Sequence, residues 1–397
     1  MAGSRTTTGI WDDSALIAKA KDVGSAFASR VLETANQIAA VESPTGSERT
    51  RADLVEGLFH QAGVASVVRD DIHDVVGRVS GRLSGSSAVL LAAHTDTVFA
   101  AGTPLKLWAD DQRAYGPGLG DNSLGVAALV HLQPMLDAMG VVPELDLLLT
   151  GNVGEEGLGN LRGVNRILDS YSEIGAMVAV EGQNLGRITH IAVGSTRLRI
   201  MVTGPGGHSW GDFGNPNAIH AAGRLIEALD RIPLTQTPKT TLNVGTISGG
   251  ISINSIAPDV TFDLDLRSTD PTSLKRLVDR VHAALTPRDE RIQVTIEVLG
   301  ERPAGQVPAG SRIVTSAAEI LRALGYPAAA DASSTDANAA IARGIPAICI
   351  GMTTGANAHR LEEYVDIAPI GTGLAQLALL TISLAHDLKL GLLANGA

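Results

Sequence analysis

Four short apolar runs constrain the fold of this chain more than any other feature: Ala88–Ala93, Leu145–Thr150, Ala176–Val180 and Pro346–Ile350. Each is continuous and not alternating, as expected of a strand covered on both faces in a mostly parallel sheet. Between the first two, Ser123–Met139 repeats apolar residues at helical spacing, and Gly371–Leu388 carries a second long helical pattern near the end. Runs and helices in this order predict an α/β domain built on a mostly parallel sheet.

A different rhythm occupies residues 194–301. It reads as strand (Thr196–Val202), helix (Pro216–Asp230), strand (Thr241–Ser248), strand (Asp259–Arg267), helix (Pro271–Leu285) and strand (Ile292–Val298). Val260, Phe262, Leu264 and Leu266 alternate with Thr261, Asp263, Asp265 and Arg267, so that strand has one wet face. A βαββαβ order is the ferredoxin-like arrangement. The sheet pattern resumes afterwards, which predicts one domain from residues 1–193 and 302–397 with a second, 194–301, inserted into it. The first ten or so residues read as disordered.

At 397 residues, with 44% hydrophobic and 18% charged, the chain is globular and long enough for two cores. The net charge of −11 argues against a nucleic-acid partner, because no excess of cations exists to neutralise phosphates. No uninterrupted apolar stretch reaches roughly 18 residues, so no membrane span is expected. No signal peptide is evident, and the single cysteine, Cys349, reads as a small buried residue; both fit a cytoplasmic setting.

The polar residues of interest gather just beyond the carboxyl ends of the four runs. Ala88–Ala93 delivers His94 and Asp96, Leu145–Thr150 delivers Glu155 and Glu156, and Ala176–Val180 delivers Glu181. Pro346–Ile350 leads through a glycine-rich loop, Gly351–Gly355, to His359. That edge of an open α/β sheet is where ligand sites assemble. Imidazoles mixed with carboxylates suit zinc, or less selectively cobalt or manganese. Asp96, one residue removed from His94, can reach the imidazole's second nitrogen or bind metal itself. Asp121, before the Ser123 helix, reads locally as a ligand or a helix cap. Glu155 and Glu156 diverge, so one can bind metal while the other faces the reaction volume.

The motifs HTDTV, GPGLGDNSLG, GNVGEEGLGN, the isolated Glu181, GPGGHSW and NAHRLEEYV, in this order, resemble the co-catalytic dinuclear zinc exopeptidase and deacylase family. The resemblance implies that His94 and Glu181 bind one Zn2+, Glu156 and His359 a second, and that Asp121 bridges them. It implies that Asp96 orients His94, that Glu155 is general base and then acid, and that the Asp121–Asn122 peptide is cis. His208 matches a family histidine that donates to the oxyanion, and Asn254 and Arg267 match substrate-binding positions. The inserted domain then serves as a lid and as the dimerisation surface of a homodimer. The expected substrate is a small peptide or an N-acyl amino acid, cleaved at an amide next to a free carboxylate. Glutamate at position 181 tilts the reading toward deacylases. Arg360 departs from the small hydroxyl residue usual after the histidine, and Glu363 is expected either to orient His359 or to begin the final helix. A catalytically silent binding protein is the alternative, although no ligand or base is missing.

Overall fold

The structure is a computed structural model that describes Gly9–Leu393. Two compact units are present: Ala192–Gly305 forms one, and the chain on either side of it forms the other. The expected disorder of the first ten residues falls mostly outside the described residues; Ile10–Asp12 make a single 3-10 turn.

In the larger unit the four apolar runs become the centre of a nine-stranded sheet. They are β1 (Ala88–His94), β2 (Asp146–Asn152), β3 (Ile174–Glu181) and β4 (Ala347–Gly351). Their spatial order is β2-β1-β3-β4, and each adjacent pair is parallel. Burial explains the missing alternation. Val89, Leu91 and Ala93 point into one apolar cluster, while Ala88, Leu90 and Ala92 point into another on the opposite face. With both faces dry, each leucine contributes about 2 kcal/mol wherever it points.

Antiparallel strands flank this parallel centre. Ser66–Arg69 and Val75–Val79 add to the β2 side, and Arg187–Ala192 to the β4 side, all antiparallel. These strands lie outside the buried centre, so they lack the continuous apolar run that marks it. The Ser123–Met139 helix is also divided, into Leu124–Val130 and Leu132–Met139. Pro134 has no N–H to offer the Val130 carbonyl, and its ring crowds that oxygen.

The smaller unit is a four-stranded antiparallel sheet in the order Thr240–Gly249, Asp259–Ser268, Gly194–Thr203, Gln293–Arg302. Ala218–Asp230 and Pro271–Ala284 are its helices, so the unit has the ferredoxin-like order. Val260, Phe262, Leu264 and Leu266 join its core together with Leu198, Ile200 and Val202.

Candidate metal centre

Because β2, β1, β3 and β4 run parallel, their carboxyl ends share one edge, and the chain turns inward there. β1 ends on His94, which is 1% exposed, and β3 ends on Glu181. β2 runs into Val153–Glu156. Register locks these ends together, since His94 lies opposite Asn152 and Thr95 N–H donates to the Asn152 carbonyl at 2.7 Å. Behind them Arg51, fully buried, donates to the Thr95 carbonyl at 3.0 Å and to that of Val41 at 2.9 Å.

Asp121 stands at the centre of the cluster. Its Oδ1 lies 3.1 Å from His94 Nε2, and its Oδ2 lies 3.0 Å from His359 Nε2. His359 Nε2 is also 3.0 Å from Glu156 Oε1, and His94 Nε2 is 3.6 Å from Glu181 Oε2. One ligand atom each from His94, Asp121 and Glu156 fit within 4.8 Å of one another. Each histidine therefore shares one oxygen of the same carboxylate and has a private carboxylate of its own.

The charges are strongly coupled. Burial acts against the His94 cation, yet the carboxylates of Glu181 and Asp121 outweigh it and raise the imidazole well above its ordinary value. Hydrogen bonds to Asp121 and Glu156 push His359 up to about 10. Burial raises Asp121, but both histidines outweigh it and hold the carboxyl well below the usual carboxylate range. Burial pushes Glu181 up to about 7. A cluster of two imidazoles and three crowded carboxylates demands positive charge at its centre. An N/O donor set of this kind fits zinc, cobalt or manganese.

Three supports position the ligands, and two of them differ from the sequence reading. His94 Nδ1–H donates to the backbone carbonyl of Asp96 at 3.0 Å, while the Asp96 carboxylate is 3.6 Å away. That contact turns Nε2 toward the cluster. The Asp96 carboxylate instead accepts from Glu155 N–H and Glu156 N–H, both at 2.9 Å, and from the Thr45 hydroxyl at 2.8 Å. Glu363 does not begin the last helix, which starts at Ile370. It is fully buried and accepts from Gly118 N–H at 2.8 Å, Gly120 N–H at 2.7 Å and Asp121 N–H at 2.8 Å. The Asp121–Asn122 peptide is cis, and the helix-capping contact belongs to Asn122, whose Oδ1 accepts from Gly125 N–H at 3.2 Å.

Glu155 is 6% exposed, and its charge is among those raising His94. Cys349 is buried, and burial raises its thiol well above the ordinary value, which suits a packing role.

His208, Asn254 and Arg267 belong to the smaller unit. His208 is exposed, and its Nδ1 accepts from the N–H groups of Trp210 and Gly211, both at 3.2 Å. Nε2 therefore carries the proton of the neutral ring. Asn254 Oδ1 accepts from the Ser252 hydroxyl at 2.9 Å. Arg267 Nε donates to the Asp265 carboxylate at 2.7 Å. Trp210 is 87% exposed. Arg360 is exposed.

Two buried carboxylates escaped the sequence reading altogether. Asp74 accepts from Val153 N–H at 2.8 Å, and Asp336 accepts from the Asn152 side chain at 2.8 Å. Both contact the β2 end from segments that carry no apolar run.

Residues 90–382 match the model of peptidase family M20/M25/M40. A putative succinyl-diaminopimelate desuccinylase of Mycobacterium tuberculosis is 29% identical over 343 residues, covering 83% of this chain and 92% of the relative. An acetylornithine deacetylase of Myxococcus xanthus is 27% identical, covering 74% and 79%. Among solved structures, a tripeptidase of Staphylococcus aureus superposes with a TM-score of 0.74 at 22% identity, over 90% of this chain and 99% of the other.

Proposed function

Since the chain belongs to peptidase family M20/M25/M40, we propose that it is a dinuclear metal hydrolase cleaving an amide next to a free carboxylate. The observation that carries this reading is Asp121, which turns one oxygen to His94 and the other to His359. His94 and Glu181 would hold one Zn2+, Glu156 and His359 the other, with Asp121 between them. Bound there, the metal ions supply Lewis acidity and a water acidic enough to lose a proton near neutral pH. Glu155 would act as the general base that accepts a proton and as the acid that returns one to the departing amine. Asp96 fixes the peptide on which Glu155 and Glu156 sit, through the two amide hydrogen bonds described above. The Nε2–H of His208 is suited to donate to the oxyanion. Arg267, with Asn254, would read the substrate carboxylate by exchanging its Asp265 contact for the substrate's.

The preferred substrate class is N-acyl amino acids, with di- and tripeptides second, on the strength of glutamate at position 181 and of the two deacylating relatives. The reading extends to a cytoplasmic homodimer joined through the smaller unit. Its edge strand Thr240–Gly249 is largely exposed, as are Phe213, Ile251 and Ile253, and sedimentation would check the stoichiometry. No described helix is long and apolar enough to cross a membrane. A silent protein that merely keeps the fold is not favoured, because the ligands and Glu155 are all present.

The test is metal removal by chelation, followed by turnover of a dipeptide and an N-acetyl amino acid with the same C-terminal residue. Activity should vanish and return with Zn2+, Co2+ or Mn2+. Unchanged turnover in the metal-free protein would sink the reading, and the ratio of the two kcat/KM values decides between deacylase and exopeptidase.

A further inference from the structure

The two halves of the metal centre are not equally well supported. His94 and Glu181 end neighbouring parallel strands whose side chains fill the core. His359 rides on a surface loop in which residues 357–362 are all exposed, and its own side chain is 54% exposed. It also adopts a left-handed backbone, φ 67°, as does Asn357 at φ 63°, which costs a non-glycine residue about 1 kcal/mol or more. Packing cannot hold such a loop, so something polar must.

Glu363 is the first buried residue after that stretch. Its carboxylate accepts from three N–H groups of the Gly118–Asp121 loop, and its own carbonyl accepts from Gly116 N–H at 2.9 Å. Its N–H closes the turn onto the Arg360 carbonyl at 3.2 Å, and the Asn357 side chain closes the same loop onto the Glu362 carbonyl at 3.2 Å. One residue thus joins the segment bearing the shared ligand, Asp121, to the segment bearing His359. No comparable tie is needed by His94 or Glu181, whose positions follow from strand register.

We propose that Glu363 is a positioning residue that assembles the His359/Glu156 half of the centre, leaving the His94/Glu181 half to the strands. The inference rests on the two-metal reading above. It implies that metal uptake is unequal and that Glu363 governs the weaker event. Glutamine is nearly isosteric, but it replaces one acceptor oxygen with an NH2 that faces an N–H donor.

Calorimetric titration of the metal-free protein with Zn2+ tests the proposal. Wild type should show two binding events. Glu363→Gln should weaken one of them at least about tenfold, roughly the loss of one hydrogen bond to a buried N–H, and leave the other within about threefold. His359→Ala should remove that same event, and Glu363→Gln added to His359→Ala should change little further. Glu363→Asp, which keeps the carboxyl group on a shorter arm, should recover part of the loss. Equal weakening of both events, or of neither, overturns the proposal while leaving the two-metal reading intact. A wild type that takes up a single metal refutes the two-metal reading itself. Should the variants not fold, hydrogen exchange on wild type decides: the Gly118, Gly120 and Asp121 amides must be protected without metal, and rapid exchange there overturns the role of Glu363.

Discussion

His94 and His359 approach the same carboxylate at nearly the same distance, 3.1 and 3.0 Å, from opposite kinds of structure. His94 is the last residue of a strand buried on both faces, and its position is a by-product of core packing. His359 sits on an exposed loop closed by the Asn357 side chain and the Glu363 N–H, which donate to the Glu362 and Arg360 carbonyls, and anchored where the Glu363 carboxylate accepts from Gly118 N–H. A strand-borne ligand is positioned by many weak contacts that no single substitution removes. A loop-borne ligand depends on a few polar contacts, each of which is indispensable. The centre should therefore be rigid on the β1–β3 side and conditional on the loop side.

The largest expected effect concerns chemistry and not support. Glu155→Gln removes the proposed base but leaves its backbone N–H on Asp96. Turnover should fall by about 10²- to 10⁴-fold, the span typical of a lost general base, with two metals still bound. Loss of metal in that variant would instead make Glu155 a ligand, and the division of labour between Glu155 and Glu156 would be wrong.

Asp96→Ala breaks the comparison from the middle, because Asp96 serves both kinds of support. The backbone carbonyl that receives His94 Nδ1–H survives the substitution. The carboxylate that receives Glu155 N–H, Glu156 N–H and the Thr45 hydroxyl does not. Two buried amides left without their acceptor predict a loss of about 2–4 kcal/mol in urea unfolding of the metal-free protein, with an unchanged m-value. The metal event that fails should be the Glu156 one. A stability loss below about 0.5 kcal/mol would mean that water replaces the carboxylate and the site is wetter than its burial implies.

The same contrast explains what was legible in the sequence. The strand-borne part was readable because burial on both faces forces an unbroken apolar run, and the polar residue ending each run stands out against it. The smaller unit was readable for a related reason, since one dry face imposes alternation on Val260–Arg267. The partners of Glu363 were not legible because they are backbone amides 242 to 245 residues earlier, and a backbone amide leaves no trace in side-chain identity. Asp96 was legible only in part for the same reason, since its backbone carbonyl makes the closer contact to His94 and its carboxylate lies 3.6 Å away. The first long helix, Ser14–Ala39, drew no attention because its buried stripe is largely small residues, including Ala20, Gly24, Ala35 and Ala39. At Gly24 a Cβ would lie 2.3 Å from the Gly371 carbonyl, so the stripe is chosen for close helix approach and has little hydrophobic contrast. Pro134 did announce the divided helix, and the reading passed over it.

The smallest expected effect sharpens the loop side, at the foot of the segment that carries Glu155. Asp74 is fully buried, and its Oδ1 accepts from Val153 N–H at 2.8 Å. Burial drives this carboxyl up to about 8; the Val153 hydrogen bond opposes the rise, while the charges of Asp70 and Asp336 add to it. The folded protein therefore keeps a proton that the unfolded chain gives up near its ordinary value of 3.8. Stability falls as pH climbs between those two values and levels off above the upper one, because the folded state binds more protons throughout that window. Asp74→Asn keeps an oxygen for Val153 N–H and has no proton to lose. Its unfolding free energy should be flatter across the window and exceed wild type at about pH 8 by about 1–2 kcal/mol, well below the full linkage value because a buried pocket relaxes. Urea unfolding of both metal-free proteins at about pH 5 and about pH 8 measures the difference. Parallel losses in the two proteins would show that Asp74 is ionised in the fold. The Val153 amide would then be held by a full charge, and the buried segment that carries Glu155 would be tied more firmly than by a neutral acceptor.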